Sequence, residues 1–297
     1  MAGGQERILR QRIKTVLATR KITKAMELIA ASQITRSQAR IVANRPYRLG
    51  MQRIVIEAAL GDPAAAKKLL ATPEKITTAL VLVITGDRGL SGAYNASVMR
   101  AGERLVTSLR TEGTEARLVA VGKKAAAFYR FRGMAVERSF VGFADRPTFS
   151  DAQFVAATIA APFAADEVQQ ILMVSTRFIS SGSQSVAIEQ LLPLSMPEPV
   201  LDDKPAVIKG YTEFEPEVSK LLVSLAPRAL ESEIFSALLE GAASFHVSQQ
   251  RAMAAATDNA DDLGQNLSRI MNRARQDSIT TEIMEIVSGA EALRSGK

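Results

Sequence analysis

The chain has 297 residues, 47% of them hydrophobic, which is enough apolar material for a folded chain with a sizeable core. It has no cysteine and one histidine, His246. That excludes a disulfide framework, cysteine-ligated zinc, a cysteine nucleophile and a histidine metal cluster. The net charge of +6 is uneven: residues 1–60 carry twelve Lys and Arg against three carboxylates, whereas Glu213 onward carries thirteen acids against eight bases. A basic arm and an acidic arm can attract each other or face a charged partner.

From Gln5 to Ala59 the chain is rich in helix formers, with one proline, Pro46, and one interior glycine, Gly50. Ile13 and Leu17, then Ile22, Met26 and Ile29, are spaced four and three apart. A helix of about 50 residues would be roughly 75 Å long. That length suits a coiled coil or a projecting arm. Arg45-Pro46-Tyr47 marks a kink, because proline removes a helix bond and crowds the preceding turn. Asp62-Pro63 and Thr72-Pro73 mark a linker over Gly61 to Lys75, with room for a helical turn at Ala64 to Leu70.

Thr77 to Thr85 is a short, apolar, partly β-branched run, the pattern of a buried parallel strand. The glycine-rich turn Gly86 to Asn95 follows it, then a helix from Ala96 to Arg110. Leu118 to Val121 reads as a second strand, Lys123 to Phe131 as a short helix and Met134 to Phe140 as a weak third strand. Ser150-Asp151 can cap a helix running to Phe163. Gln170 to Ser175 and Ser185 to Leu192 are two more strands, antiparallel if Ser180 to Ser183 is a hairpin turn. The alternation implies a βαβ sheet with helices on its faces, an α/β unit over residues 77–195.

Met196 to Pro205 is a proline-rich connector, and Lys209 to Pro216 mixes charge with two aromatics. Residues 209–297 make the second arm, helical from Glu217 to Leu293, with an interruption expected at the polar stretch Thr257 to Asp262. Beyond it Leu263, Leu267, Ile270 and Ala274 form a narrow apolar seam, and Ile279, Ile283 and Ile286 repeat its step. The last turns, with Met284 and Val287, are apolar on more than one side, which describes a rod whose tip sits inside a partner. The arm of residues 1–60 and this second arm then pair antiparallel.

Little here suits catalysis. Gly86-Asp87-Arg88-Gly89-Leu90-Ser91-Gly92 lies between strand and helix, where phosphates bind. It lacks the spacing of a dinucleotide fingerprint, of a P-loop and of a nucleophile elbow around Ser91. The plainer reading is a tight turn with Asp87 and Arg88 bonding locally. His246 reads as a helix-surface residue, and Asp261-Asp262 as a cap or solvated turn. The basic arm has only Tyr47 for base stacking, so acidic protein loops suit it better than nucleic acid. The longest apolar run, Ala79 to Ile84, is too short to span a bilayer, and the first residues lack a signal-like apolar core. The expectation is a soluble protein that can dock on a membrane complex.

Several longer words are specific. Lys21 to Ser32 (KITKAMELIAAS), followed by Arg45-Pro46-Tyr47, closely resembles the N-terminal helix of the F-type ATP synthase gamma subunit family. Asp87-Arg88-Gly89-Leu90 with Gly92 and Asn95 is similar to that family's central turn. Ala255 to Asn259 (AATDN), Asn272 to Gln276 (NRARQ), Ile279-Thr280 and Glu285 to Ala290 (EIVSGA) are similar to its C-terminal signature. The matches run in order along essentially the whole chain.

The resemblance implies a long antiparallel coiled coil of terminal helices with an inserted Rossmann-like α/β domain. It implies a rotor shaft turning inside a hexamer of alternating alpha and beta subunits, with epsilon and the membrane c-ring below. Such a chain has no catalytic site and binds no cofactor or metal, while the complex uses Mg-ATP, ADP and phosphate. Arg275 and Gln276 correspond to positions engaging beta-subunit loops, and Lys21, Lys24 and Met26 to a neck facing the beta-subunit lever. Ile279, Ile283, Ile286 and Val287 would form a bearing tip. Tyr211 and Glu215 would lie in a foot towards the c-ring and epsilon. The implied location is the cytoplasmic face of a bacterial cell membrane, reached only through the complex. Ser91 stands where many relatives have cysteine, so no thiol switch is expected, and Gln33 and Ile34 depart from the usual lysine and apolar residue. An α/β enzyme with helical dimerisation arms and a basic tether for nucleic acid are the other readings the residues permit.

Overall fold

The computed structural model describes residues 2–61, 75–194, 214–215 and 217–295. In chain order the elements are α1 (Ala2–Gly61), β1 (Thr78–Ile84), α2 (Tyr94–Thr111), β2 (Glu115–Val121), α3 (Lys123–Phe131), β3 (Arg138–Phe140), α4 (Phe149–Ala164), β4 (Gln170–Phe178), β5 (Gln184–Leu192) and α5 (Val218–Ser295). They form two compact units, one of Met1–Ala30 with Gln249–Lys297 and one of Ala31–Ser248. The expected linker turn at Ala64 to Leu70 and the connector at Met196 to Pro205 lie outside the described residues.

The larger unit is built on a five-stranded sheet of order β3-β2-β1-β4-β5. The first four strands are parallel, and β5 returns antiparallel to β4 through the Ser180–Ser183 hairpin. β1 is central and covered on both faces, which is why its sequence is an unbroken apolar run rather than an alternation; six of its seven residues are buried. One face packs Leu80, Leu82 and Ile84 against Val155 and Ile159 of α4 and Leu230, Ile234 and Leu238 of α5. The other packs Val81 and Val83 against Val98 and Val106 of α2 and Tyr129 of α3. β2 starts earlier than its apolar run suggests, because Glu115 and Ala116 pair with Thr78 and Ala79. β3 is shorter than expected, three residues against seven. The cap of α4 is Thr148 rather than Ser150: its hydroxyl accepts from the Asp151 amide while the Asp151 carboxylate accepts from the Thr148 amide.

In this unit α1 and α5 run antiparallel. Ala58 and Ala59 meet Leu222, Met51 and Val55 meet Ala229, and Arg48 pairs with Glu233 at 2.9 Å and Glu240 at 3.4 Å. Gln52 adds a hydrogen bond to Glu233. Helical structure continues through Pro46.

In the smaller unit the two helices are again antiparallel. Thr23 faces Thr257, Arg20 pairs with Asp261 at 2.7 Å, and Gly264 lies against Val16 and Leu17. The buried and half-buried positions of α1 step four and three, through Leu9, Ile13, Val16, Thr23, Glu27 and Ala30, with Arg20 between Val16 and Thr23. Those of α5 do the same through Met253, Thr257, Ala260, Gly264, Leu267, Met271, Ala274 and Ser278. A 3.5-residue repeat keeps one stripe of each helix facing the other.

Two expectations are overturned here. The interruption at Thr257 to Asp262 does not occur: α5 is helical throughout, because Thr257 turns inward and its hydroxyl is spent on Met253 O and Thr23. The seam also lies to one side of the most apolar residues. Leu17, Ile22, Ile29, Leu263 and Ile270 are exposed, while the contact line includes the small and polar Thr23, Ala30, Thr257 and Gly264 beside aliphatic residues such as Val16 and Met253.

Candidate partner-binding surfaces

The residues expected to meet a partner fall at separate heights. Lys21 and Lys24 are exposed on successive turns of α1, Lys24 held by Glu27 at 3.0 Å, with Met26 half-buried beside them. Arg275 and Gln276 are exposed on α5. With Thr23 level with Thr257, the antiparallel register puts Lys21 and Lys24 level with residues 256–259. Arg275 therefore stands roughly 25 Å further along the axis at 1.5 Å per residue. The structure does not bring these two groups together; it displays them as two sites on one rod.

Above Arg275 the seam ends. The last half-buried position is Ser278, and every residue from Ile279 to Glu291 is exposed. Ile279, Ile283, Met284, Ile286 and Val287 are 46–72% exposed. By the same register the described part of α1, which starts at Ala2, reaches to the level of Ser278. This is a helix tip whose apolar side chains are exposed on several sides. Of the foot residues, Tyr211 lies outside the described residues, whereas Glu215 is exposed beside Phe214, whose ring packs with Ala58, Ala59 and Leu222.

The polar groups of the glycine-rich turn bond within the chain. The Asp87 carboxylate accepts from the backbone amides of Lys123 (3.0 Å), Gly142 (2.9 Å) and Ala144 (3.1 Å), tying together the carboxyl ends of three strands. These bonds reach further than the local ones expected. Arg88 pairs with Asp145 at 3.0 Å. Asn95 accepts from the Gly86 amide and donates to Arg88 O and Ser91 Oγ. Helix α5 covers the crevice: a Cβ on Gly86 would stand 3.0 Å from the Phe245 ring, and one on Gly241 3.1 Å from the Tyr94 hydroxyl. Burial raises the Tyr94 phenol well above its ordinary value, with Asp145 adding to the shift.

His246 is 6% exposed rather than on the surface. Neither ring nitrogen makes a hydrogen bond, and burial lowers its pKa, partly opposed by the backbone and carboxylate of Asp145. Asp145 is itself pushed up, first by burial, against the pull of Arg88. A cavity of about 260 Å³ lies between α1, β5 and α5, bordered by Arg48, Gln52, Glu189, Leu191 and Glu233. Its charged groups are already engaged with one another and with Arg177. Among the described residues no cluster of His, Asp and Glu could hold a metal, and no helix is long and apolar enough to cross a membrane.

Sequence reasoning missed the Thr23–Thr257 contact, the Arg20–Asp261 pair and the burial of His246. The first two had a signal in the strict repeat of four and three through Thr23 and Thr257. His246 had none, since the groups beside it, Asp145, Arg146 and Arg88, lie far from it in sequence.

The family model described as ATP synthase matches residues 5–293. The chain is 46% identical to an ATP synthase gamma chain of Parafrankia sp., covering 99% of each. It is 43% identical to one of Kineococcus radiotolerans, covering 98% of each. Among solved structures it resembles a chain of the Euglena gracilis mitochondrial ATP synthase, with TM-score 0.67 and 17% identity, covering 99% of this chain and 96% of that one. It also resembles one from the central stalk and c-ring of the Tetrahymena thermophila mitochondrial enzyme, with TM-score 0.61 and 22% identity, covering 79% of this chain and 99% of that one. With paired terminal helices, an inserted doubly wound sheet and relatives this similar along its whole length, the chain belongs to the ATP synthase gamma-chain family.

Proposed function

We propose that the chain works as the central-stalk rotor of an F-type ATP synthase. It turns inside a hexamer of alternating alpha and beta subunits and couples proton flow through the c-ring to the cycling of the catalytic beta subunits. The observation carrying this reading is the tip: a helix end whose apolar side chains are exposed on several sides. Enclosure by a ring of other subunits would bury that surface. Apolar contact is non-directional, so Ile279, Ile283, Ile286 and Val287 can serve as a bearing that favours no single angle.

Torque is passed lower on the rod by polar groups: Arg275 and Gln276 at one height, and Lys21 and Lys24 with Met26 at another, each engaging beta subunits. A rod with different faces gives each beta conformation a different contact energy, so rotation exchanges their nucleotide affinities. The two helices work as a coiled coil, supported by the 3.5-residue seam. Glu215, with Tyr211 in the same segment, belongs to a foot facing epsilon and the c-ring. The chain contributes no catalytic group and binds no cofactor; Mg-ATP, ADP and phosphate are handled by its partners. It lies peripherally on the cytoplasmic face of a bacterial membrane through the complex.

The test is reconstitution with matched alpha and beta subunits, epsilon and the membrane sector. The wild-type chain should give one gamma per six alpha and beta subunits and proton-coupled ATP hydrolysis. Arg275→Ala with Gln276→Ala should keep the isolated chain folded and lower coupled pumping by at least about threefold, the order of a lost charge-assisted contact. Failure of the wild-type chain to assemble, or undiminished pumping by the double variant, would count against this reading and its site assignment respectively.

A further inference from the structure

We infer that the rod is two-sided in charge: one flank of the helix pair carries cations that hold acidic partner loops, and the opposite, uncharged flank is the side on which such a loop is released. The flanks follow from the seam. Antiparallel helices bring like positions of the repeat to one edge. The residue just after Thr23 on α1 therefore lies on the same side as the residues just after Ala260 and Ala274 on α5. The Arg20–Asp261 pair marks this side, as does Leu17 against Gly264. Lys24 and Arg275 share it, and Arg7, Lys14 and Lys21 stand on it one turn before such positions. Of these five, Lys24 alone makes an ion pair among the described residues, with Glu27. The acids on this flank alongside them are Asp258 and Asp261, the latter engaged by Arg20.

The other flank holds Met26, just before the seam position Glu27, with Leu263 and Ile270, just before Gly264 and Met271. Ile22 and Ile29 stand beside them. Ile22, Ile29, Leu263 and Ile270 are 49–61% exposed. From Thr15 to Ile29 on α1, and from Ala252 to Ile270 on α5, no charged side chain lies on this side. Ile22 is level with Lys21 and Lys24, so at one height the rod shows cations one way and isoleucine the other. The consequence rests on the rotor reading. In a ring of alternating subunits, three identical beta subunits face the rod from three directions. An evenly charged rod would hold all three alike at every angle. A two-sided rod holds the acidic loop facing its cations. The loop facing its isoleucines is not held, because a carboxylate gains nothing from apolar surface and loses water against it. Rotation then passes the held state from one copy to the next.

The test adds the same charge to either flank. Ile22→Lys with Leu263→Lys makes both sides cationic, at exposed positions, so the chain should still fold and melt near wild type. Leu28→Lys with Gln265→Lys, also exposed, adds two cations to the side that already has them. Each is reconstituted with alpha and beta subunits, epsilon and the membrane sector. The Ile22 and Leu263 pair should keep ATP hydrolysis while protons pumped per ATP fall at least about threefold, the order of one exposed charge contact. The Leu28 and Gln265 pair should pump as wild type. Ile22→Gln with Leu263→Gln, polar and uncharged, should also pump as wild type. Undiminished pumping by the Ile22 and Leu263 lysine variant overturns the inference. An equal loss in the Leu28 and Gln265 variant overturns it too, because total charge and not its side would matter. A loss in the glutamine variant overturns it in favour of an apolar contact on that flank. A wild-type chain that fails to assemble or couple overturns the rotor reading itself, and the released flank with it.

Discussion

Two polar side chains show how burial changes a residue's meaning. Asp87 reads in sequence as bonding locally within a tight turn, yet both its oxygens are engaged by backbone amides of two other segments, the start of α3 and the loop after β3. His246 looks like a helix-surface residue, yet it is enclosed beside Asp145, Arg146 and Arg88. Because burial lowers its pKa below 6.5, the folded chain refuses a proton that the unfolded chain accepts. Its contribution to stability is therefore present above pH 6.5 and lost as the pH falls through 6.5 towards the folded value. Melting followed from pH 7.5 to 5 should show wild type losing stability more steeply than His246→Gln. The difference in slope should not exceed about 1.4 kcal/mol per pH unit, the limit for one proton. Parallel curves would mean that the ring titrates normally.

At the scale of elements, legibility divided by what each element packs against. β1 and β4 could be read because buried strands have a local signature, an unbroken apolar run, whereas the cap of α4 was placed at Ser150 although Thr148, three residues before Asp151, carries it. The parallel direction of the first strands followed from alternation, whereas their order came from the structure. The long helices were legible in extent but not in face. Leu17, Ile22, Leu263 and Ile270 drew attention by being apolar, while the contact line ran through Thr23, Ala30, Thr257 and Gly264. Small residues let two helices approach closely, and a paired hydroxyl is tolerated there, so the polar stretch at Thr257 marked a close contact and not a break. One turn is demanding in a way the sequence only hints at. Gly122 has φ of +94°, and a Cβ there would stand 2.3 Å from Thr85 O. Gly122→Ala should destabilise the α/β unit by about 3 kcal/mol, combining backbone strain with displacement of the β1 end. Chemical denaturation checks this; a loss below about 1 kcal/mol would mean that the turn relaxes freely.

For the whole chain, the contrast between paired and unpaired helix makes the assembly state measurable. Residues Met253 to Met271 are held by a partner helix, whereas every residue from Ile279 to Glu291 is exposed. A helical segment of that length without tertiary contacts is marginal in water, because nucleation and chain entropy offset what its hydrogen bonds contribute. Amide hydrogen exchange in the isolated chain should therefore be fast over Ile279 to Glu291, close to unprotected rates. It should be at least about a hundredfold slower over Met253 to Met271, which opens only when the helix pair separates. Adding the alpha and beta subunits should bring the tip into the protected class, since enclosure buries the apolar side chains that make it costly to expose. The polar groups of Lys21, Lys24, Arg275 and Gln276 should change less, because they are expected to exchange partners as the rod turns and not to be sealed. Protection confined to the paired segment after assembly would place the tip in water. The apolar turns at Ile279, Ile283, Ile286 and Val287 would then need another partner.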